Sequence, residues 1–424
     1  MHRRIVRWFN RRVPEQHLQE YRCELYLIGI EAWANLYSDA SSNDMDFHEE
    51  WKRSEQKICA EAHSLGDLFG RLKSFMSQLP ISDAGMQRLY ECAVQLPASL
   101  AGYPLLVGHP VDAATSPLVM IVSVLEQSEA IERFHEIAQG QSAANASSRI
   151  SRVLRMVAAE AEEFRTQIGN RLLLQYEIWP TSGEEAAPWI LFYPRTQKSA
   201  ANNVKGGSAS DLSLIETLIN RVFGELDRRH FGEVRRLCDA LEAGQRLGAI
   251  GFSQQNPSMI RLTILGYRDL PSICRFLRRV DHKCLLPNLT RLTKRLTKRQ
   301  LPQDMQFGLQ MDIAGSGNMQ RIEVQIFSAS TIYSDAGWFK DNDGWQALIA
   351  ALQAEKLVSI EKLEKLLRWS SRPITATFGR SGMLALFRRI HHFALEIEPR
   401  AINVNAYAFL MLSPLGGGNT SHEQ

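Results

Sequence analysis

The sequence predicts an α+β protein: an antiparallel ten-stranded β-barrel built from repeated β-β-α units with helices outside, preceded by a helical N-terminal region. Three observations predict it. Five pairs of strand-like runs recur from about residue 98 onward, the runs alternate apolar and polar residues, and amphipathic helical patterns fill the gaps between pairs. The 424 residues are 45% hydrophobic and 22% charged, with a formal net charge of +3. Those proportions exclude collagen-like, wholly disordered and disulfide-scaffold classes. The near-neutral balance argues against a dedicated nucleic-acid binder, so no nucleic acid is expected as a partner.

Residues 1–13 read as a basic, flexible terminus carrying Arg3, Arg4, Arg7, Arg11 and Arg12. Pro14, Glu15 and Gln16 follow where a signal peptide would place an apolar stretch. The longest apolar run, 117–125, is too short to span a bilayer, so a cytoplasmic protein is expected. Residues 14–97 form a helical region, with Leu18, Tyr21, Leu25 and Ile28, then Ile58, Leu65, Leu68, Phe69, Leu72 and Phe75, near the helical period. The stretch 38–50 between them reads as a polar loop. The six cysteines form no C-x-x-C pair and read as small core hydrophobes.

The barrel domain is placed at 98–413 and a disordered polar tail at 414–424. Its strand pairs are 105–107 with 119–125, 172–179 with 189–193, 247–253 with 259–265, 306–314 with 321–327, and 393–398 with 402–412. Gly315-Ser316-Gly317-Asn318 joins the fourth pair and is a hairpin signal. Helices are expected at 130–137 and 150–164, 212–226 and 231–241, 270–280 and 285–296, and 345–352 with 360–369. A further helix is expected at 383–390. Hairpins are the shortest connections for antiparallel pairs, so the sheet should be antiparallel.

The alternation assigns two faces. Gln306, Gly308, Gln310 and Asp312 oppose Phe307, Leu309, Met311 and Ile313; Arg321, Glu323 and Gln325 oppose Ile322, Val324 and Ile326. His392, Glu396 and Glu398 oppose Phe393, Leu395 and Ile397, and Asn403, Asn405 and Tyr407 oppose Ile402, Val404 and Ala406. Arg261 and Thr263, and Gln175 and Glu177, follow suit. The apolar face must be covered by helices. The polar face either meets water in an open sheet or lines the lumen of a closed barrel. Closure is preferred, because ten strands otherwise leave edges and large barrels enclose ligand cavities.

Five β-β units with an apolar outer and a polar inner face resemble the ABBA (PT-barrel) prenyltransferases. The likeness covers about 98–413 and is architectural. Its nearest local points are the arginine-bearing strand 259–265 and the closing strands 393–398 and 403–409 with Ala406-Tyr407-Ala408. It implies a transferase that moves a prenyl group from a prenyl diphosphate to an aromatic or peptide substrate, the latter a peptide modification. Such chemistry needs cations for the leaving diphosphate, aromatic faces around an allylic cation, and a carboxylate to take the lost proton. On that resemblance Arg261, Arg321 and His392 would bind the anion, with Gln310, Asp312 and Asn405 also in contact with substrate. Trp179, Trp189, Tyr193 and Tyr407 would supply aromatic faces, and Glu177, Glu323 and Glu396 would be the catalytic bases. No cofactor follows with certainty; a Mg2+ ion on the diphosphate is the candidate, although no DDxxD motif occurs. The chain departs from the family pattern in having Ala394 and Asn405 at inward positions where basic residues are expected. Inward carboxylates exceed inward cations, which also suits a peptide-binding or scaffold protein with a degenerate barrel, or an acid–base enzyme using the lumen carboxylates.

Other segments carry alternative readings. Asp44, Asp46, His48, Glu49 and Glu50 can offer oxygen ligands to a divalent ion, or form a solvated linker. Residues 377–382 leading into the expected helix at 383–390 can hold a phosphate at a helix start, or Ser381 simply caps that helix. Arg291, Lys294, Arg295, Lys298 and Arg299 form a basic stripe for an acidic partner, or the wet side of an amphipathic helix. His391 and His392, being adjacent, are expected on opposite faces of a strand.

Overall fold

The computed structural model describes residues 44–112, 116–125, 128–139, 171–180, 186–192, 228–256, 258–282, 286–299, 305–314, 319–328, 343–370, 374–378, 382–398 and 401–414, with 150, 153, 216–217 and 301. Tyr193, residues 14–43, nearly all of 150–164 and 212–226, and the tail from 415 lie outside the described residues.

The alternating runs fold as strands because period-2 patterning lets one face be buried while the other serves the lumen. They are β1 (Leu105–Pro110), β2 (Leu118–Leu125), β3 (Arg171–Ile178), β4 (Trp189–Phe192), β5 (Arg246–Ser253), β6 (Ile260–Tyr267), β7 (Gln306–Ile313), β8 (Met319–Phe327), β9 (Ile374–Phe378), β10 (Gly382–Ile397) and β11 (Ile402–Pro414). Each of β1 to β7 pairs antiparallel with its successor; β8 pairs with β10, β10 with β11, and β11 with β1. Ten strands therefore close into a barrel without an edge. The short β9 folds back on the outer half of β10, a hairpin the sequence pattern does not reveal.

The segment expected as a helix at 383–390 is instead the first half of β10. Leu384, Leu386, Arg388 and Ile390 pair with Pro414, Leu412, Leu410 and Ala408. Apolar residues at 383, 384, 386, 387 and 390 mimic a helical period, because this stretch lacks strict alternation. Pairing with both β9 and β11 overrides the local pattern. β9 ends at Phe378 and β10 begins at Gly382, so the expected helix at 383–390 and its start are replaced by strand, while 379–381, with Ser381, lie outside the described residues.

Helices cover the apolar outer face. They are α1 (Asp44–Glu61), α2 (Leu65–Arg71), α3 (Lys73–Met76), α4 (Asp83–Val94), α5 (Glu129–Gln139), α6 (Arg228–Asp239), α7 (Leu270–Arg279), α8 (Leu286–Thr297), α9 (Asp343–Ala354) and α10 (Ile360–Trp369). The stretch read as a polar loop is helical from Asp44, since α1 begins there. Ser64 and Asp67 form a reciprocal capping box on α2, and Ser82, Asp269 and Ser359 cap α4, α7 and α10. One continuous core joins these helices to the outward residues of the strands, such as Val107, Leu174, Ile250, Leu262, Leu309, Val324, Phe393 and Ala408. Trp345 of α9 meets Phe393 of β10 edge to face at 5.3 Å, and Trp369 of α10 donates from Nε1 to the Phe75 carbonyl at 3.1 Å. Cys238 and Cys274 are buried core thiols. Among the described residues no helix is long and apolar enough to cross a membrane.

Candidate functional site

The inward face of the barrel separates into a charged sector and an apolar sector. Val119, Ile121, Leu173, Trp189, Leu191, Ala394 and Tyr407 form a second apolar cluster, detached from the outer core and flanked by Leu106 and Met259. Register makes this necessary: Gly108 faces Tyr407 and Val119, while Leu191 faces Leu173 and Gly251. A Cβ on Gly108 would lie 2.7 Å from Tyr407 Cε1, so glycine here lets the phenol lie across the lumen wall.

Beside it lies an ion-pair network built by neighbouring strands. Arg261 of β6 is level with Asp312 of β7, which is level with Arg321 of β8. Glu323 of β8 is level with both Gln310 of β7 and Glu396 of β10. The fully buried Arg261 grips Asp312 with a fork, Nε to Oδ1 and Nη2 to Oδ2 both at 2.7 Å, and donates to Glu177 Oε1 at 2.8 Å. Arg321 donates to the same Glu177 oxygen at 3.0 Å and to Glu323 at 3.5 Å, and its Nε forms an ion pair with Glu396 at 2.6 Å. Glu177 thus bridges two guanidiniums from across the lumen. Gln325 donates from Nε2 to Glu323 at 3.3 Å and to Gln310 at 3.4 Å.

Electrostatics divides the carboxylates. Burial pushes Glu177 up, but the guanidiniums of Arg261 and Arg321 outweigh it and hold the carboxyl below its usual range. Burial dominates at Glu323 and raises it despite Arg321, and it raises Glu396 for the same reason. Both arginines stay firmly protonated: burial opposes their charge, and Asp312 and Glu177 for one, Glu177 and Glu323 for the other, prevail. Burial also raises the Tyr407 phenol well above its ordinary value and depresses His392 well below its own.

Aromatic faces border this network. The Arg261 guanidinium lies 3.9 Å from the centre of the Trp189 ring, and Tyr407 stacks on His392 at 4.0 Å with 14° between planes. Trp179 does not join them: it sits past the end of β3 and is 48% exposed. Asn405 is buried level with Ala394, so two of the inward positions are small or neutral, as the sequence pattern states.

Several lumen atoms lack a partner in the protein although fully buried: Arg261 Nη1, His392 Nε2, and both Oδ1 and Nδ2 of Asn405. A buried polar atom without a partner costs roughly 1–3 kcal/mol, so such atoms mark where a guest or ordered water belongs. Sequence reading missed two inward residues, Arg389 and His391. Arg389 lies in the stretch that mimics a helix. His391 sits at a β-bulge between Ile390 and His392, which breaks the alternation and brings the two imidazoles together, Nδ1 to Nδ1 at 2.7 Å, instead of on opposite faces.

Among the described residues no group of three or more His, Cys, Asp and Glu side chains is arranged to hold a metal ion. The lumen carboxylates, oxygen donors of the kind Mg2+ takes, are each engaged by a guanidinium.

No protein-family model and no curated protein matches the chain. Solved structures do. The chain is similar to 5-dimethylallyltryptophan synthase from Streptomyces coelicolor, at 15% identity over 82% of this chain and 97% of that one, with a TM-score of 0.43. It is similar to 6-dimethylallyltryptophan synthase from Micromonospora olivasterospora, solved with DMASPP and Trp, at 13% identity over 82% and 97%, with a TM-score of 0.49. AnaPT from Neosartorya fischeri is similar at 10% identity over 72% of this chain and 78% of that one, with a TM-score of 0.44. The closed ten-stranded antiparallel barrel with outer helices is the architecture of the ABBA fold.

Proposed function

We propose that the barrel is a prenyltransferase-like enzyme that moves a prenyl group from a prenyl diphosphate to an aromatic or peptide acceptor held in its lumen. The observation that carries this reading is the set of buried, unpartnered polar atoms on Arg261, His392 and Asn405, beside the aromatic faces of Trp189 and Tyr407. A lumen built this way takes a guest that is aromatic in part and polar in part. In the reaction the C1–O bond of the donor breaks and the diphosphate keeps the electron pair. The allylic carbon then bonds to an acceptor carbon, and the proton displaced from that carbon goes to a carboxylate. Tyr407 and Trp189 shield the cation without capturing it. Glu323 and Glu396 suit the proton transfer, since a carboxylate with a raised pKa is the stronger base once ionised. Glu177, held ionised by two guanidiniums, positions Arg261 and Arg321 rather than accepting protons.

Incubation with dimethylallyl or geranyl diphosphate and either tryptophan or a tryptophan-containing peptide tests the reading. Diphosphate release with a matching gain in product mass is expected, and Glu323→Gln should lower kcat by about 100-fold or more. Neither release nor saturable donor binding at millimolar concentration would overturn it. A second reading is favoured by the four carboxylates that outnumber two guanidiniums in the network: a barrel that binds a cationic peptide without transfer. Saturable binding of a lysine-rich peptide, unaccompanied by prenyl transfer, would select that alternative.

A further inference from the structure

The charged network leaves a difficulty for a diphosphate. Both of its guanidiniums already hold carboxylates, and the surplus charge there is negative. The opposite end of the lumen has a different character. On β10, Arg388 pairs with Leu410 and points outward, its guanidinium 5.5 Å from the Trp369 ring centre and 5.9 Å from that of Phe75. Its neighbour Arg389 therefore faces inward, level with Phe409, which is itself level with Leu106 of the inner cluster. The bulge then adds His391 and His392 to the same side. Their Nδ1 atoms are 2.7 Å apart, within hydrogen-bond distance. His392 is 4% exposed and its Nε2 has no partner in the protein.

Aromatic rings lie between this end and the carboxylates. Tyr407 is stacked on His392, and Phe327 lies 5.0 Å from His392 and 5.9 Å from His391. Arg389 stands two paired positions beyond His392, about 7 Å at ~3.3 Å per residue. Glu396 stands four positions the other way, about 13 Å. Thus one inner strand surface runs from cations through aromatic rings to a carboxylate. Those are the needs of an anionic head, an apolar tail and a proton acceptor, in that order.

We propose that Arg389, His391 and His392 form an oxyanion subsite that takes the diphosphate of the prenyl donor and lays its tail against Tyr407 and Phe327. The proposal rests on the prenyl-transfer reading for the identity of the donor, but the subsite itself binds the anion alone. Burial draws Arg389 down to about 9, which leaves it charged between pH 6 and 8, and holds His392 well below its ordinary value, so an arriving anion restores charge at the imidazole. Among the described residues, the ionisable groups facing the histidines are Arg389 on β10 and Tyr407 on β11, while β8 presents the neutral Phe327 and Gln325. Anion binding should therefore draw a proton onto the imidazole pair and tighten as pH falls from 8 to 6.

The test is calorimetric titration of the full-length protein with inorganic diphosphate at pH 6 and pH 8, in two buffers of different ionisation enthalpy. Expected are saturable binding, uptake of about one proton, and at least threefold tighter binding at pH 6. Arg389→Met should weaken binding tenfold or more, with partial rescue by Arg389→Lys. His392→Asn should remove the proton uptake, and serves also if Arg389→Met fails to fold. No binding at millimolar diphosphate, or unchanged binding in both Arg389→Met and His392→Asn, would overturn the subsite. The two readings fail separately. Diphosphate binding that depends on Arg389 in a protein without transfer activity keeps the subsite and removes the enzyme. Transfer that survives Arg389→Met does the reverse.

Discussion

Single side chains in the lumen respond to pH in opposite directions. Glu177 is held below its usual 4.5 by Arg261 and Arg321 against the effect of burial. The stability it adds is complete above 4.5 and is lost as pH falls through the lower folded value. Glu323 is raised by burial, so its contribution is complete below 4.5 and lost as pH rises through its higher folded value. Glu177→Gln should therefore destabilise at neutral pH by about 2–4 kcal/mol, because it leaves two guanidiniums short of a partner; melting curves at pH 7 would show it. Glu323→Gln should gain on the natural protein as pH climbs from 5 to 8, and melting temperatures that move in parallel over that range would contradict this. Asn405→Leu offers a third test. Replacing an amide with two unpartnered atoms should stabilise the empty protein by about 1 kcal/mol while weakening binding of any polar guest. These residues were legible in sequence as inward-facing, since Arg261, Glu177, Asp312, Arg321, Glu323 and Asn405 all obey the alternation. Their pairing was not, because register across five strands decides who meets whom.

At the level of elements, glycine and bulges set what the wall can present. Gly108→Ala places a methyl group 2.7 Å from Tyr407 Cε1 and should cost about 1–3 kcal/mol while shifting the phenol off His392. A fall in thermal stability with altered tyrosine fluorescence would register both. Gly266, at φ +90°, has room for no side chain, as a Cβ would stand 2.0 Å from the Gly244 carbonyl oxygen; it carries the irregularity between Ile264 and Tyr267. Strands that alternate strictly, such as β7 and β8, could be read residue by residue from the sequence. The outer half of β10 could not, since its neighbours on both sides come from distant parts of the chain and its apolar residues fit a helix equally well.

For the whole molecule, closure is the property that matters. The seam between β1 and β11 has six level pairs, from Leu105 with Leu410 to Pro110 with Asn405. Beyond it, Asp112 Oδ2 accepts the Val404 amide at 2.7 Å, and Lys362 of α10 donates to the Pro110 and Asp112 carbonyls at 3.2 and 2.6 Å. The first and last strands are thereby clamped by a helix that the chain adds between β8 and β9. Amide exchange along β1 and β11 should match that of β6 and β7. Earlier exchange confined to β1 would show that the barrel opens at its seam. Closure was inferable from ten alternating runs and the need to remove edges, whereas the clamp depends on contacts some 250 residues apart in sequence.

The bulge on β10 also changes how the strand counts. From Leu386 to Ile390 the even-numbered residues face the helices; from His392 onward the even-numbered residues face the lumen. His391 absorbs that change of parity by itself. A chain from which His391 is deleted keeps Arg389 and His392 inside and Ile390 and Phe393 outside, with no other side chain turned over. Inserting or removing a residue at a regular position of β10 would instead invert everything beyond it. One imidazole of the lumen can therefore be gained or lost by a change in length, without a substitution and without disturbing the wall around it.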